Sequence, residues 1–354
     1  QQTLVTHDGT QYDGADVGGG IQDNVPLFRL AYDATQSEIK GTSLRETGFS
    51  HVVITTANAP QLGGLFAALG WHQQSTGISA DAADFWGADG TQTAERWVAP
   101  SGACEVVLLP VGNTTPVLRP VDCSVTTPGG LFDINMRTWD SEWARDFLHT
   151  HGWRELVPAV AWQFGEVHTS EGLYIQDDGI VMAVMQRLSP PLEGIEFDRM
   201  SDVFNSTQMV SNVETTLAFL KVLGFERFID HAGPLPGEGP RVLQLEQYPV
   251  ETAGIHLSIA HPEAAMSGSI ELIDVPEHTL PCLPVPSTGG RGLRALAIPC
   301  NDVAETFAAI NDSGWSSKIC QPLAERDLPG LLGGQCFAVT APDGGRLDLY
   351  QIKQ

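Results

Sequence analysis

The chain has 354 residues, of which 42% are hydrophobic, and its 43 Asp and Glu against 19 Lys and Arg give a formal net charge of −24. This length can bury a large core, and we expect it to divide into about two or three domains. The scarcity of basic residues argues against nucleic-acid and anionic-membrane partners, which require positive patches, and no apolar run approaches the ~18 residues of a membrane span.

Six cysteines are scattered along the chain without a C-x-x-C spacing, and no signal peptide is visible after Gln1. This pattern predicts free thiols in a reducing compartment rather than disulfides. We therefore expect a cytoplasmic protein whose partner is a small-molecule substrate, with a homodimer left open.

The first 45 residues precede any recognisable repeat, and their content of Gly, Asp and Gln predicts a mobile N-terminal arm. A linker is predicted within residues 189–200, where the repeats are interrupted again. The chain then divides into the arm (1–45), a segment with two repeats (46–190) and a second segment with two repeats (200–354).

Four amphipathic helices are predicted, each with a polar cap, about three turns of helix, and then Gly followed by an aromatic residue. Asn or Asp at the cap accepts hydrogen bonds from free backbone N–H groups, and Gly ends the helix in the left-handed conformation. The distance from cap to Gly is the same in all four copies. They run from Asn58 to Gly70, Asp140 to Gly152, Asn212 to Gly224 and Asp302 to Gly314.

Each predicted helix follows a short strand-like run and precedes a longer, Gly-punctuated stretch that ends in a second kind of strand. The first runs begin at His51, Asp133, Asn205 and Ala295. The final runs are SGACEVVLLPV from Ser101, DDGIVMAVMQR from Asp177, SGSIELIDV from Ser267 and PDGGRLDLYQI from Pro342, each opening on a tight-turn signal. The sequence therefore predicts an α+β fold of four tandem β-α-β-β-β units.

This arrangement resembles the vicinal oxygen chelate superfamily, which includes glyoxalases, extradiol dioxygenases and bleomycin-resistance proteins. The resemblance extends from about Phe49 to Gln354, and its most specific pieces are GFSHVVITT, SGSIELIDV and APDGGRLDLYQ. It implies units that pair into cup-shaped curled sheets around a metal or ligand. In metal-using relatives the ligands come from the start of the first strand and the middle of the last strand of a unit.

At those two positions the first unit has His51 and Glu105. A His/carboxylate pair suits a divalent ion such as Fe, Mn, Ni or Zn. Asp133 would be a third metal ligand if the first unit pairs with the second, and Asp348 would be if it pairs with the fourth. We expect the functional pocket to contain His51 and Glu105, with or without a metal.

The remaining ligand positions depart from the superfamily pattern. Extradiol dioxygenases of the superfamily use two His and one Glu, and neither Asn205 nor Ala295 supplies a second His, which disfavours simple ring cleavage. Glu271 is a further acidic candidate, and His168 and His256 on predicted strands are candidates for acid–base or ligand roles, although surface histidines are the more common case. The tryptophans Trp97, Trp139, Trp143 and Trp162 are predicted to be packing residues.

Because one fold supports many reactions, the resemblance leaves several functions open. The leading hypothesis is a metal-dependent enzyme of the glyoxalase/dioxygenase type that isomerises, cleaves or oxygenates a small oxygenated organic molecule, and so acts as an isomerase, lyase or dioxygenase. The alternative is a metal-free protein that binds or sequesters a small molecule. A third hypothesis makes one pair of units catalytic and the other structural.

Overall fold

The computed structural model describes residues 48–88, 90, 92–249, 254–278, 280–284, 289–328 and 331–351. Within these ranges the chain forms sixteen β-strands and six α-helices, arranged in two eight-stranded curled sheets. The predicted N-terminal arm, residues 1–45, lies outside the described residues.

The first two units follow the predicted order, with one additional helix in the first. The first unit comprises β1 (His51–Thr56), α1 (Ala59–Ala68), β2 (His72–Gly77), α2 (Ala80–Trp86), β3 (Thr93–Val98) and β4 (Glu105–Pro110). The second comprises β5 (Asp133–Thr138), α3 (Ser141–Thr150), β6 (Arg154–Phe164), β7 (Val167–Ile175) and β8 (Val181–Ser189).

The last two units repeat the same order with small insertions. The third unit comprises β9 (Asn205–Met209), α4 (Val213–Val222), β10 (Glu226–Pro234), the short α5 (Gly239–Val242), β11 (Gly254–His261) and β12 (Ser269–Asp274). The fourth comprises β13 (Gly292–Cys300), α6 (Val303–Asp312), a 3₁₀ turn (Ser316–Lys318), β14 (Ile319–Leu328), β15 (Leu331–Thr340) and β16 (Arg346–Gln351). The prediction of four β-α-β-β-β units is confirmed.

The four predicted helices begin at the predicted caps. The side chains of Asp140, Asn212 and Asp302 accept hydrogen bonds from backbone N–H groups of the first turn, whereas Asn58 makes no such bond. The glycines after α1, α3 and α4 have the expected positive φ, but Gly314 does not, because α6 ends at an extended Ser313 and a 3₁₀ turn follows. The prediction of a left-handed glycine is therefore wrong for the fourth helix.

The units pair first with fourth and second with third. Sheet 1 has the strand order β14-β15-β16-β13-β1-β4-β3-β2, and sheet 2 has the order β10-β11-β12-β9-β5-β8-β7-β6. Within every unit the first strand runs parallel to the last, and the first strands of paired units run antiparallel, as in β1 with β13. Each sheet thus takes one unit from either side of residues 190–200.

The two faces of each sheet bury different clusters. The faces that pack on α1, α3, α4 and α6 share one large core, in which Phe66, Leu148, Phe219 and Ile310 are at most 1% exposed. The opposite face is the inside of a cup, and each cup has its own smaller cluster. We call the inner face of sheet 1 the first cup and that of sheet 2 the second cup.

Two further sequence expectations concern membranes and thiols. No helix in the described part of the chain is long and apolar enough to cross a membrane. All six cysteines are free, as expected, and three of them, Cys104, Cys300 and Cys336, are buried.

Candidate functional site

The first cup brings together the residues that the sequence singled out in the first unit. His51 and Glu105 lie side by side on β1 and β4, which are parallel and in register, and His51 Nε2 is 3.0 Å from Glu105 Oε2. On its other side His51 Nδ1 is 2.8 Å from Ser50 Oγ, which is 2.9 Å from the hydroxyl of Tyr350 on β16. The expected His/carboxylate pair therefore forms.

Arg96 on β3 also binds the Glu105 carboxylate. Its Nε and Nη2 donate to the two carboxylate oxygens, so the guanidinium holds Glu105 in a two-point contact. Burial alone would raise the pKa of Glu105, but hydrogen bonds and charge from His51 and Arg96 outweigh burial and lower that pKa to about 2. A carboxylate neutralised by an arginine is a weak ligand for a second cation.

Both carboxylate oxygens of Asp348, in the same cup, also accept hydrogen bonds from neighbouring side chains. Arg346 Nε donates to Oδ1 and Trp86 Nε1 donates to Oδ2, both at 2.7 Å, and Asp348 is 0% exposed. The strand register also gives Asp348 a different position from that of Glu105. Counted back from the helix caps, Val52 in the first unit is equivalent to Leu296 in the fourth. Val52 pairs with Val106, and Leu296 pairs with Leu347. Arg346, not Asp348, is therefore the counterpart of Glu105.

The helix α2 fills the space where a ligand of the first cup would lie. Its residues Ala82, Phe85 and Trp86 are buried together with Val53 of β1 and Ala297 of β13. The Phe85 ring also lies under the guanidinium groups of Arg326 and Arg346. The first cup is therefore a packed core around two ion pairs.

The fourth metal candidate, Asp133, lies in the other sheet, because the first unit does not pair with the second. Across the described ranges no group of three or more His, Cys, Asp or Glu side chains is placed to hold a metal ion. Arg96 and Arg346 already hold the two carboxylates of the first cup. The residues present therefore do not fit the expected divalent metal at His51, Glu105 and Asp348.

The second cup contains a hydrogen-bonded polar group at its centre. Asn135 on β5 donates from Nδ2 to Asp133 Oδ1 at 3.1 Å, to Asn205 Oδ1 at 2.8 Å and to Thr207 Oγ1 at 3.1 Å. Thr207 donates its backbone N–H to Asp133 and its hydroxyl to Glu271 Oε2 at 2.8 Å. These residues come from the first strands of units two and three and from β12.

Three carboxyl groups share this cup, and the pKa of each is raised. Burial raises the pKa of Asp133 to about 6 against the hydrogen bonds from Thr207. Burial and the charge of Asp133 raise the pKa of Glu271 to about 7. Burial and the charges of Glu271 and Asp133 raise the pKa of Glu171 on β7 to about 8, although Trp162 Nε1 donates to Glu171 Oε2 at 3.1 Å.

The second cup is nearly closed, because its two edge strands approach each other. Phe164 on β6 and His231 on β10 make an edge contact with ring centroids 5.5 Å apart. The short helix α5 covers the same opening, and a Cβ at Gly239 would lie 3.0 Å from the Trp162 ring. Asp133 is 2% exposed, whereas Glu171 and Glu271 keep part of their surface accessible. The two glutamates whose pKa values are raised by burial and by neighbouring carboxyls are therefore also the ones that a small molecule could contact.

Sequence reasoning found part of the second cup and missed the rest. It named Asp133, Asn205 and Glu271 as positions of the repeat, but not Glu171, and it expected Trp162 only to pack. A Glu on an inner-facing strand position is the signal, yet the sequence does not show which face of β7 is buried. Of the two histidine candidates, His168 is exposed and His256 contacts Asp230 at 3.1 Å.

Comparison with known proteins shows the fold but no close relative. No protein-family model and no curated protein sequence matches the chain. Glyoxalase I from Zea mays superposes with a TM-score of 0.56 at 14% identity, over 86% of this chain and 92% of that one. A protein of Bacillus subtilis subsp. subtilis str. 168 described as a "putative dioxygenase" gives 0.53 at 12% identity, over 88% and 86%. The chain therefore has the fold of the vicinal oxygen chelate superfamily, built from four units.

Proposed function

We propose that the chain is an enzyme that moves a proton on a small oxygenated organic molecule held in the second cup. The observation that carries this proposal is the group of carboxyls in the second cup, where the partly accessible Glu271 and Glu171 lie near the buried Asp133 and have pKa values raised to about 7 and about 8. General acid–base catalysis works best when the pKa of the catalytic group lies near the operating pH. Carboxyl groups with strongly shifted pKa values cluster at functional sites.

The two glutamates suit opposite roles in this reaction. Near neutral pH Glu271 is partly ionised, so it would act as the base that removes a proton next to a carbonyl group. Glu171 has the higher pKa and is mostly protonated, so it would donate a proton to the carbonyl oxygen. Among the three hypothesised reaction types this favours isomerisation, or cleavage that begins with proton removal.

The contacts in the second cup make Glu271 easier to ionise than Glu171. The hydroxyl of Thr207 donates to Glu271, which favours its ionised form, whereas Glu171 has two neighbouring carboxyls that oppose its ionisation. Asn135 holds Asp133, Asn205 and Thr207 in fixed positions. Apolar residues such as Leu173 and Ile259 surround this polar centre and would exclude water.

A metal step forms no part of the proposal. The donor set at His51 and Glu105 is neutralised by Arg96, and Arg346 holds Asp348. The first cup then has a structural role, which corresponds to the hypothesis of one catalytic and one structural pair of units. The other surviving hypothesis is that the second cup binds a small molecule without transforming it, which its closed, partly apolar interior also suits.

Proton exchange with solvent tests the proposal without knowledge of the final product. A panel of 2-hydroxy ketones, 2-oxo aldehydes and 2-oxo acids would be incubated with the protein in D₂O, and loss of the proton next to the carbonyl followed by NMR. We expect exchange of at least one class, slowed about 100-fold or more by Glu271→Gln, since one acid–base group typically contributes about 10²–10⁴. Glu196→Gln, an exposed glutamate, is the matched control.

Two results would argue against the enzyme. Exchange that persists unchanged in both Glu171→Gln and Glu271→Gln would remove the second cup from the reaction. Saturable binding of a panel compound that depends on Glu271, without any exchange, would support the binding protein instead.

A further inference from the structure

A cavity of about 420 Å³ lies between α2, sheet 1 and the two segments that connect the sheets. Arg119 and Leu283 of the connecting segments, Phe85 of α2, Arg294 of β13 and Arg346 of β16 are among its lining residues. Three arginines at one cavity are unusual for a chain with 19 Lys and Arg and a net charge of −24.

Arg346 has hydrogen-bonding capacity that the protein does not use. The residue is 7% exposed, its Nε donates to Asp348, and its guanidinium lies 4.6 Å from the centroid of the Phe85 ring. Its Nη2 is buried without a hydrogen-bond partner in the part of the chain that the structure describes. A buried charged donor without an acceptor is costly, so an anionic group bound at this atom would be stabilised.

Within the described residues, the positive charge of Arg294 has no hydrogen bond to a carboxylate. Its Nε donates to the backbone oxygen of Trp86 at 3.1 Å. The nearby acid is Asp348, which already accepts from Arg346 and Trp86. Burial and the charge of Arg346 lower the pKa of Arg294 to about 10, so the side chain stays protonated at neutral pH.

The remaining charges at the cavity leave an excess of positive charge. Arg119 is 4% exposed and donates to the backbone oxygens of Ser124, Val125 and Thr127, so it is a fixed cation. Among the described lining residues the acidic one is Asp84, and it is exposed. The described lining thus has three arginines and one aspartate, and Asp348 beside it already accepts from Arg346 and Trp86.

We propose that this cavity binds the oxyanion group, carboxylate or phosphate, of a small molecule, through Arg346 Nη2 and the guanidinium of Arg294. Guanidinium groups match the geometry of both oxyanions and bind them more strongly than neutral donors do. The site includes Arg346 of the first cup, on the side of α2 that faces the connecting segments, and it does not depend on the reaction proposed for the second cup.

Calorimetric titration of the whole protein with inorganic phosphate and, separately, with succinate tests this site and distinguishes the two sources of the anion. Sodium chloride at equal ionic strength controls for screening. We expect saturable binding of at least one anion, weakened about tenfold or more by Arg294→Gln, as expected for loss of a charge-assisted contact. Arg241→Gln, which removes an exposed arginine paired with Glu238, should leave the affinity unchanged.

Arg294→Gln is the main variant because Arg294 is only partly buried, whereas Arg346→Gln would also break a buried ion pair and could unfold the chain. If neither anion shows saturable binding at concentrations up to about 10 mM, the proposal is overturned. Equal affinity of Arg294→Gln and the unchanged protein would do the same.

Discussion

At the scale of single residues, the surroundings in the two cups shift the pKa values of Glu105 and Glu171 in opposite directions. Glu105 gains two donors, and its pKa falls to about 2. Glu171 gains one donor and two acidic neighbours, and its pKa rises to about 8. The first arrangement stabilises the ionised form and the fold, while the second keeps a proton available at neutral pH.

Glu171 should make the free energy of unfolding fall as the pH rises from about 4 to about 8. Its pKa in the folded state is raised above the ordinary value near ~4.3, so its contribution is favourable at low pH and is lost as pH rises through about 8. We expect Glu171→Gln to be more stable than the unchanged protein at pH ~9 by about 2–4 kcal/mol, and little different at pH ~4. Denaturant unfolding at both pH values measures this, with Glu196→Gln as control. Equal stability at high pH would show that Glu171 is solvated.

Glu105 should act in the opposite sense in acid. Its pKa is lowered in the folded state, so its stabilisation is present above the unfolded pKa near ~4.3 and is lost as pH falls through about 2. After allowance for partial solvent screening, we expect Glu105→Gln to cost about 1–2 kcal/mol at pH ~7 and almost nothing at pH ~2. Thermal unfolding across this range checks the prediction. A penalty that is independent of pH would mean that packing, not the Arg96 contact, is lost.

At the scale of elements, four helices share one sequence pattern but not one set of contacts. The Asn212 side chain accepts from the Thr215 N–H at 2.8 Å, whereas Asn58 at the same place in α1 accepts no cap bond and instead donates to Gln61 at 2.6 Å. The repeat therefore provides a matched pair of identical residues at identical positions.

We expect Asn212→Ala to reduce the free energy of unfolding by about 1 kcal/mol and Asn58→Ala by only a few tenths of that, because only the first loses a cap bond. Denaturant unfolding of the two variants under the same conditions compares them directly, provided that the dependence of the free energy of unfolding on denaturant concentration is unchanged. Equal costs would show that side-chain capping does not distinguish the two helices.

The additional helix α2 has a different task from the four long helices. Trp86 donates its indole N–H to the fully buried Asp348 at 2.7 Å, and it packs inside the first cup. We expect Trp86→Phe to cost about 1–3 kcal/mol, because it leaves one buried carboxylate oxygen without a donor. Its effect on proton exchange in the second cup should be small. A loss of exchange without a loss of stability would place the reaction in the first cup instead.

At the scale of the whole molecule, the order of the units along the chain differs from their order in the sheets. The central pair of sheet 1 joins β1 of the first unit to β13 of the fourth unit, whereas the second and third units, which form sheet 2, are consecutive in the chain. Hydrogen bonds also join the sheets, as where Thr56 donates to Asp178 at 2.5 Å and Arg291 binds the same carboxylate at 2.7 Å.

This order predicts that the two sequence segments do not fold separately. Residues 46–190 contain one half of each sheet, and so do residues 200–354, so either segment alone would expose the edges of β1 and β5 or of β9 and β13. We expect each segment alone to lack a cooperative thermal transition, and the two mixed together to regain one. Two segments that each unfold cooperatively as monomers would show that the sheets are less interdependent than their hydrogen bonds indicate.

The sequence by itself determined the units and their helices, because caps, glycine spacing and alternating strands are local interactions among residues close in the chain. It also predicted that His51 and Glu105 meet, since one unit brings β1 beside β4. Only the tertiary structure decided which units pair, that Arg346 rather than Asp348 matches Glu105, and that Glu171 and Trp162 join Asp133 and Glu271. Those outcomes depend on how strands from distant segments pair and on which residues they bury. When the pairing of two strands shifts by two residues, every side chain stays on the same face of the sheet, so the hydrophobic pattern of the sequence does not reveal the shift.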